Sequence, residues 1–379
     1  MLKKIFTFCL MLSLGLAIAG TPGMKVGTPS INSLSVLSFN SEGILFIGDS
    51  YGGKVFAVDF GDNKKSDNDK HLSIADLEGD LASFLGTSPD NIMIHDMAVN
   101  PISQNLYLSV SRGRAKWSSV WETPNNLEKA DILIRILPDG QMSEAKLENV
   151  EFSSLDLPSP IDAEKEHKWK KGVKLRSESI TDIEFADGKV YVSGLSNEEF
   201  SSALWSADFP FLGDATINTL EIFHGAHGEW ETASPVRSFL PMEINGKKSL
   251  LASYLCTPLV VLDLENFENK HVKGRTVAEM GAGNFPIDMV SYQSDGQDLV
   301  LMSNSALPLL IINPADVENY DGAIEAETKS YIEGIGYTPR SGTGIQQLAD
   351  YNKNFILATQ RQPNGKLALI SISKSWTRP

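Results

Sequence analysis

Cysteine is almost absent from this chain. Of 379 residues only Cys9 and Cys256 are cysteines, and Cys9 lies in an N-terminal apolar run that reads as a cleavable leader. A mature chain carrying Cys256 alone forms no internal disulfide, so its stability must come from buried apolar surface, which a chain of this length can supply. Cys256, beside an apolar strand, reads as a buried small hydrophobe or a reactive thiol. Positive charge is also scarce: 33 basic residues face 48 acidic ones, for a net charge of −15. Losing the two charges of Lys3 and Lys4 with the leader moves −15 to −17. Such a surface repels phosphate backbones and anionic membranes, and no nucleic-acid partner is expected. The one basic cluster, KEHKWKKGVKLR at 165–176 with Trp169 inside it, is short and set among acids, and reads as a solvated insertion. Dinucleotide, P-loop and haem signatures are missing: no GxGxxG after a strand, no GxxxxGKS/T and no CxxCH.

Beyond the leader, no apolar run reaches the roughly 18 residues that a membrane-spanning helix needs. The leader itself joins Lys3 and Lys4 to an apolar run at 5–16 and then to Ala17-Ile18-Ala19. This is the pattern of a secretory signal peptide cleaved after Ala19. Gly20 follows where a lipoprotein would need Cys, so no lipid anchor is expected. The reading is therefore a signal peptide at 1–19 and a single domain at 20–379, exported to the periplasm or secreted, without a transmembrane anchor after cleavage.

What the chain has in quantity is a repeated pattern of short strands. The clearest copies are SVLSFNSEGILFIGDSYGGKVFAVDF at 35–60 and FPIDMVSYQSDGQDLVLMSNSALPLLIINP at 285–314, with others starting near Met93, Ile180, Val236 and Gly344. Each alternates apolar and polar residues with turn residues between strands, the signature of a small antiparallel sheet. Sheets repeated at a period near 50 residues close into a β-propeller, which removes exposed sheet edges. The expected fold is all-β, a six-bladed propeller, with seven blades if the long 96–182 interval hides a degenerate copy. The last copy ends on its third strand, and the N-terminal segment near 24–30 is the available donor of a fourth. Between the first two copies, IADLEGDLASFLG carries Leu77, Leu81 and Leu85 at helical spacing.

A propeller brings equivalent loops to one mouth of its axis, which places the candidate site. The starts of the inner strands read His95-Asp96, Thr181-Asp182, Val236-Arg237 and Ile287-Asp288. The ends of the second strands include Arg112, Ser193, Cys256 and Asn304. Asp96, Arg112, Asp182, Asp288 and Asn304 are thus candidate ligand-binding residues, with Arg237 standing where its neighbours have aspartate. Carboxylates sharing a narrow mouth raise one another's pKa unless a cation or arginine neutralises them. They also serve as turn acceptors for backbone N–H groups. The string FHGAHGEWETASPVR at 223–237 supplies His224, His227 and Glu229. With Asp288 these make a candidate set for a divalent cation, since imidazoles and carboxylates together suit such an ion. His227, Glu229 and Arg237 are the candidate catalytic residues, and a Cys256 thiolate with His227 as its base is a further arrangement. Exposed aromatics such as Trp117, Trp121 and Trp230 are candidates for a partner-binding patch.

The strings SFNSEGILFIGDSYGGKVFAVD and PIDMVSYQSDGQDLVLMSNSALPLLIINP resemble the broad NHL, YncE and quinoprotein-like group of exported propellers. That resemblance implies scaffolds, calcium-dependent lactonases or dehydrogenase subunits as activities. The lactonases of that group hold calcium with a Glu, Asn and Asp set near the axis, of which Asp288 and Asn304 match a part. The leading functional reading is an exported soluble propeller that binds a small molecule or a periplasmic partner protein at its polar axial mouth. The alternatives are a metal-assisted, lactonase-like hydrolase acting on a small anionic or ester substrate, and an accessory subunit of a periplasmic redox complex.

Overall fold

Strands such as Leu45–Asp49 and Pro258–Asp263 are buried along nearly their whole length, because a propeller covers both faces of each sheet with its neighbours. The computed structural model describes residues 21–113, 130–168, 170–256 and 258–378. Segment 1–19, which the sequence reads as a leader, and Trp117, Trp121 and Trp169 lie outside the described residues. Six sheets form the blades. Their innermost strands are Leu37–Phe39, Ile92–Val99, Asp182–Ala186, Val236–Ile244, Pro286–Ser294 and Ile345–Asp350. The expected six-bladed, all-β propeller is therefore present, and its inner strands close a ring without a seventh blade.

The blades do not follow one another around the ring in chain order. Contacts between inner strands run from the first blade to the third, fourth, fifth, sixth and second, and back to the first. Six apolar cores fill the six boundaries in the same order. Trp205 of the third blade packs with Phe46 of the first, and Leu108 of the second packs with Leu357 of the sixth. After three strands of the first blade the chain passes beyond its own neighbour to the edge of the sixth. There Ile74 and Leu369 exchange backbone hydrogen bonds of 2.9 Å. It then builds the second blade and returns along Val150–Asp156, which pairs with Lys54–Asp59 as the fourth strand of the first blade.

The N-terminal strand Lys25–Gly27 does enter a blade, pairing antiparallel with Val150–Asp156 on the outer edge of the first. The last blade is edged by segment 72–74. By order along the chain that segment would edge the first blade and 150–152 the second, leaving 24–30 as the donor for the last. The outer strands are exchanged because both have the same alternation, and repeat spacing cannot tell which sheet edge each one meets. The same backward reach recurs at His271–Lys273, which runs parallel to the third blade's outer strand, and at Ile332–Gly334, which pairs on the fourth's.

The helix forms where the leucine spacing predicts it, at Leu77–Leu85, with Asp76 accepting from Gly79 N–H at its N-cap. Leu77 and Leu81 are fully buried between the second and sixth blades. Arg361 of the sixth blade grips Glu78 through two bonds of 2.6 and 2.7 Å. The 165–176 cluster is an exposed ribbon pairing Glu166–His167 with Lys170–Lys174, as a solvated insertion should be. Leu81→Ala is expected to cost about 2–5 kcal/mol, seen as a lower urea midpoint, whereas Leu212→Ala, 77% exposed, should leave the midpoint nearly unchanged.

Candidate functional site

The inner strands carry one acceptor position in four of the blades. Asp96, Asp182, Ser238 and Asp288 lie opposite Ser109, Ser193, Ser253 and Ser303. Arg237 therefore does not replace an aspartate. A β-bulge before Ser238 inserts Arg237 as an extra residue, as others insert His95 and Ile287 before Asp96 and Asp288. Counting residues without the bulge shifts the alignment by one. The Arg237 side chain is exposed, and no ion pair within 4 Å joins it to Asp182 or Asp288 among the described residues.

The three aspartates sit on the second, third and fifth blades, alternate positions of the ring. Each reaches one blade onward. Asp96 Oδ2 accepts from Leu37 N–H at 2.7 Å, Asp182 Oδ2 from Phe239 N–H at 2.8 Å, and Asp288 Oδ2 from Leu348 N–H at 2.7 Å. Their Oδ1 atoms accept from the following residues, Met97, Ile183 and Met289, at 2.7–2.9 Å. The turn-acceptor role is thus real, and it doubles as a clamp between blades.

These carboxylates end in the axial channel, together with Glu184. The channel holds a cavity of about 650 Å³ walled by Phe39, Met97, Phe185, Leu240 and Met289. Its lining runs from the aspartates toward the far ends of the inner strands, at Pro101, Ser291 and Asn352. The room for a ligand therefore lies on the side opposite the mouth where the sequence pattern placed it. By accessible surface the four acids are half-buried, because the lumen reaches them, yet protein surrounds each on every side. Burial raises Asp96 to about 7, helped by the charge of Asp182 and opposed by the Leu37 and Met97 amides and Arg237. Burial likewise raises Asp182 to about 7 against its two backbone donors, Ser238 and Arg237. Asp288 and Glu184 are held well above the usual carboxylate range by burial first and by neighbouring acids second.

Other candidates do not join this ring. Asp96 lies opposite Ser109, and Arg112 is three residues further along that strand, roughly 10 Å away. Asn304 is committed to a turn, accepting from Leu307 N–H and donating to the Pro308 carbonyl. His95 Nε2 lies 2.5 Å from Ser111 Oγ, which also bonds Asp131.

His224, His227 and Glu229 form a second, off-axis group where the third and fourth blades meet. Thr216–His224 ends on His224, and the chain turns back through Gly228, at φ +69°, into Glu229–Glu231. Alternation puts Phe223 and Trp230 on one face, with ring centroids 5.5 Å apart, and His224, Glu229 and Glu231 on the other. Trp230 is 42% exposed beneath the Lys273 ammonium at 4.3 Å. Donor atoms of His224, His227 and Cys256 lie within 4.8 Å of one another, as do those of His227, Glu229 and Glu231. Either group could hold a metal ion. Asp288 belongs to neither, so the four-residue set drawn from the sequence divides between axis and rim. Cys256, which the sequence sets beside His227 as a thiolate and its base, joins the group as a potential ligand, and the missed member is Glu279. Glu231 follows Glu229 at strand period and was legible, whereas Glu279 comes from another blade.

One further string was passed over. Gly48-Asp49-Ser50-Tyr51-Gly52 fits GxSxG, but it spans a strand-to-strand turn. Ser50 Oγ donates to the Ile180 carbonyl at 3.2 Å, which is not the strand-to-helix turn of a hydrolase nucleophile.

The chain matches no protein-family model and no curated protein in sequence. Among solved structures it is similar to hydrazine synthase of Kuenenia stuttgartiensis, at 11% identity and a TM-score of 0.39, covering 94% of this chain and 99% of that one. It is also similar to native Bacillus subtilis arabinanase Arb43A, at 14% identity and 0.36, over 74% and 94% of the two chains. A third likeness is to a GH43 glycoside hydrolase engineered for endo-xylanase and exo-arabinofuranosidase activity, at 9% and 0.34, over 73% and 49%. At these scores none bears on activity. The molecule is a six-bladed propeller by its own strand pairing, and nothing ties it specifically to the NHL, YncE or quinoprotein-like group.

The axial acids set a pH dependence. Their folded pKa values exceed the unfolded ones, so between about pH 4 and 7 the native state holds protons that the unfolded chain releases. The stability they contribute is complete below the unfolded pKa and is lost as pH rises through the folded values. The urea midpoint should accordingly fall from about pH 4 to pH 7. Glu184→Gln removes a charge but no interblade clamp, and should flatten that fall. An unchanged slope would show that the ring does not carry it.

Proposed function

We propose that the protein is an exported binding propeller whose axial cavity takes a small cationic molecule with an apolar body. One observation carries this reading: four carboxylates with raised pKa values converge at one end of a cavity whose wall also carries Phe39, Met97, Phe185, Leu240 and Met289, with polar groups such as Gln104, Ser291 and Asn352 at its far end. A bound cation would replace the protons these groups retain, and the apolar walls would desolvate its body. Arg237 sits toward the other mouth and favours the ionised forms of Asp96 and Asp182, preparing charge for the cation to meet.

A short diamine such as 1,4-diaminobutane is the probe. It should raise the melting temperature more at pH 8 than at pH 5, and Glu184→Gln should reduce the rise, while acetate should do nothing. Stabilisation by acetate, or none by the diamine at either pH, would overturn the reading. A second reading, a metal-assisted hydrolase acting on a small anionic or ester substrate, is favoured by the grouping of His224, His227 and Cys256 within 4.8 Å. It requires ester hydrolysis that a chelator abolishes and an added dication restores.

A further inference from the structure

The rim group contains two buried polar atoms without an aligned hydrogen-bond partner, and they face each other. His224 Nε2 and Glu279 Oε2 are both wholly enclosed, neither makes a well-aligned hydrogen bond, and they face each other at the long ion-pair distance of 3.8 Å. The Cys256 carbonyl also approaches the His224 ring without forming a well-aligned bond. Orphaned buried groups of this kind are rare, and an ion is one of the few things that satisfies them.

The opposite edges of the two imidazoles are already engaged. Glu231 Oε1 accepts from Nδ1 of His224 at 2.8 Å and from Nδ1 of His227 at 2.6 Å. A carboxylate on Nδ1 fixes the tautomer that leaves the Nε2 lone pair outward, the arrangement by which metal-binding histidines are oriented. Their rings lie against each other, 3.9 Å between centroids. Cys256 Sγ supplies the third donor. Its residue is held at φ +64° in the turn before Pro258–Asp263, a conformation uncommon outside glycine. Sγ accepts from Gly283 N–H at 3.2 Å, which holds it in place. Gly225 makes the close approach: its N–H donates to Glu279 Oε1 at 2.6 Å, and an added Cβ would come within 3.2 Å of that side chain.

We propose that His224, His227 and Cys256 hold a transition-metal dication of the zinc and copper class, with Glu231 orienting the imidazoles and Glu279 supplying buried compensating charge. Two imidazoles and a thiolate select borderline-soft ions over calcium or magnesium, which take oxygen donors. A zinc centre holds N and S donors at about 2.0–2.3 Å, hence about 3.3–3.8 Å from one another. The present spread of up to 4.8 Å closes by about 1 Å, and His227, whose side chain is 49% exposed, has the freedom to move. That same exposure leaves a fourth coordination position toward solvent. The proposal is independent of the axial ligand, because no donor is shared with the aspartate ring.

Purified protein, stripped with chelator, is titrated with Co²⁺, Zn²⁺, Cu²⁺ and Ca²⁺. One equivalent of Co²⁺ should bind and give a thiolate-to-cobalt charge-transfer band, which Zn²⁺ or Cu²⁺ displaces and excess Ca²⁺ does not. Cys256→Ser should abolish the band, and His227→Ala, at an exposed position, should weaken binding without altering the circular dichroism spectrum. Glu231→Gln should weaken it about 10- to 100-fold. Absence of stoichiometric binding would show an imidazole–carboxylate network only and overturn the proposal. Binding that survives Cys256→Ser would overturn it equally, by locating the ion at His227, Glu229 and Glu231.

Discussion

Everything at the axis depends on the hydrogen bond from a backbone amide of one blade to an aspartate of its neighbour. The inner strands run from three residues in the first blade, Leu37–Phe39, to nine in the fourth, Val236–Ile244. Such strands pair on one edge only and leave N–H groups facing the next blade. Asp96, Asp182 and Asp288 each take one of these donors, on every second blade, so three clamps join the six blades in pairs. A hydrogen bond to an ionised acceptor is roughly twice as strong as a neutral one. The clamp therefore favours ionised carboxylates, while burial and their mutual approach favour protonated ones. The balance leaves Asp96 and Asp182 titrating near neutrality, and a channel poised in this way responds to cations.

At the rim the same problem of open edges is met with backbone instead of side chains. Segment 72–74, Val150–Asp156, His271–Lys273 and Ile332–Gly334 each leave the blade being built and add to the edge of another. Aggregation through unpaired strands is thereby limited. The exchange between the first, second and sixth blades also fastens the ring. The first blade cannot leave without breaking Val150–Asp156, which belongs to a later part of the chain. The helix and the Arg361–Glu78 pair lock the second blade against the sixth.

The repeat was legible because apolar alternation and turn residues recur in every copy, and the helix because Leu77, Leu81 and Leu85 share a face. The ring order was not legible. Segments 72–74 and 150–156 have interchangeable patterns, and only the closed structure shows which edges remain for them. Asp96, Asp182 and Asp288 were visible as recurring acids. Arg237 was misaligned because a bulge adds a residue without leaving a mark in composition. Glu184 went unnoticed, although it lies two residues after Asp182 and therefore on the same face of its strand. At the rim, His224 and His227 were conspicuous by scarcity and Cys256 could be set beside His227, but Glu279 comes from the next blade with nothing in the repeat to mark it. Only blade packing brings those residues together.

The account rests on carboxylates that clamp neighbouring blades while remaining close to their ionisation point. Site-resolved carboxyl ¹³C chemical shifts of Asp96, Asp182 and Asp288, followed from pH 3 to pH 9 on intact protein, test it most directly. Midpoints near 7 for Asp96 and Asp182, with Asp288 also far above ordinary aspartates, are the expected result. Midpoints near 4 for all three, the value of a solvated aspartate, would contradict it.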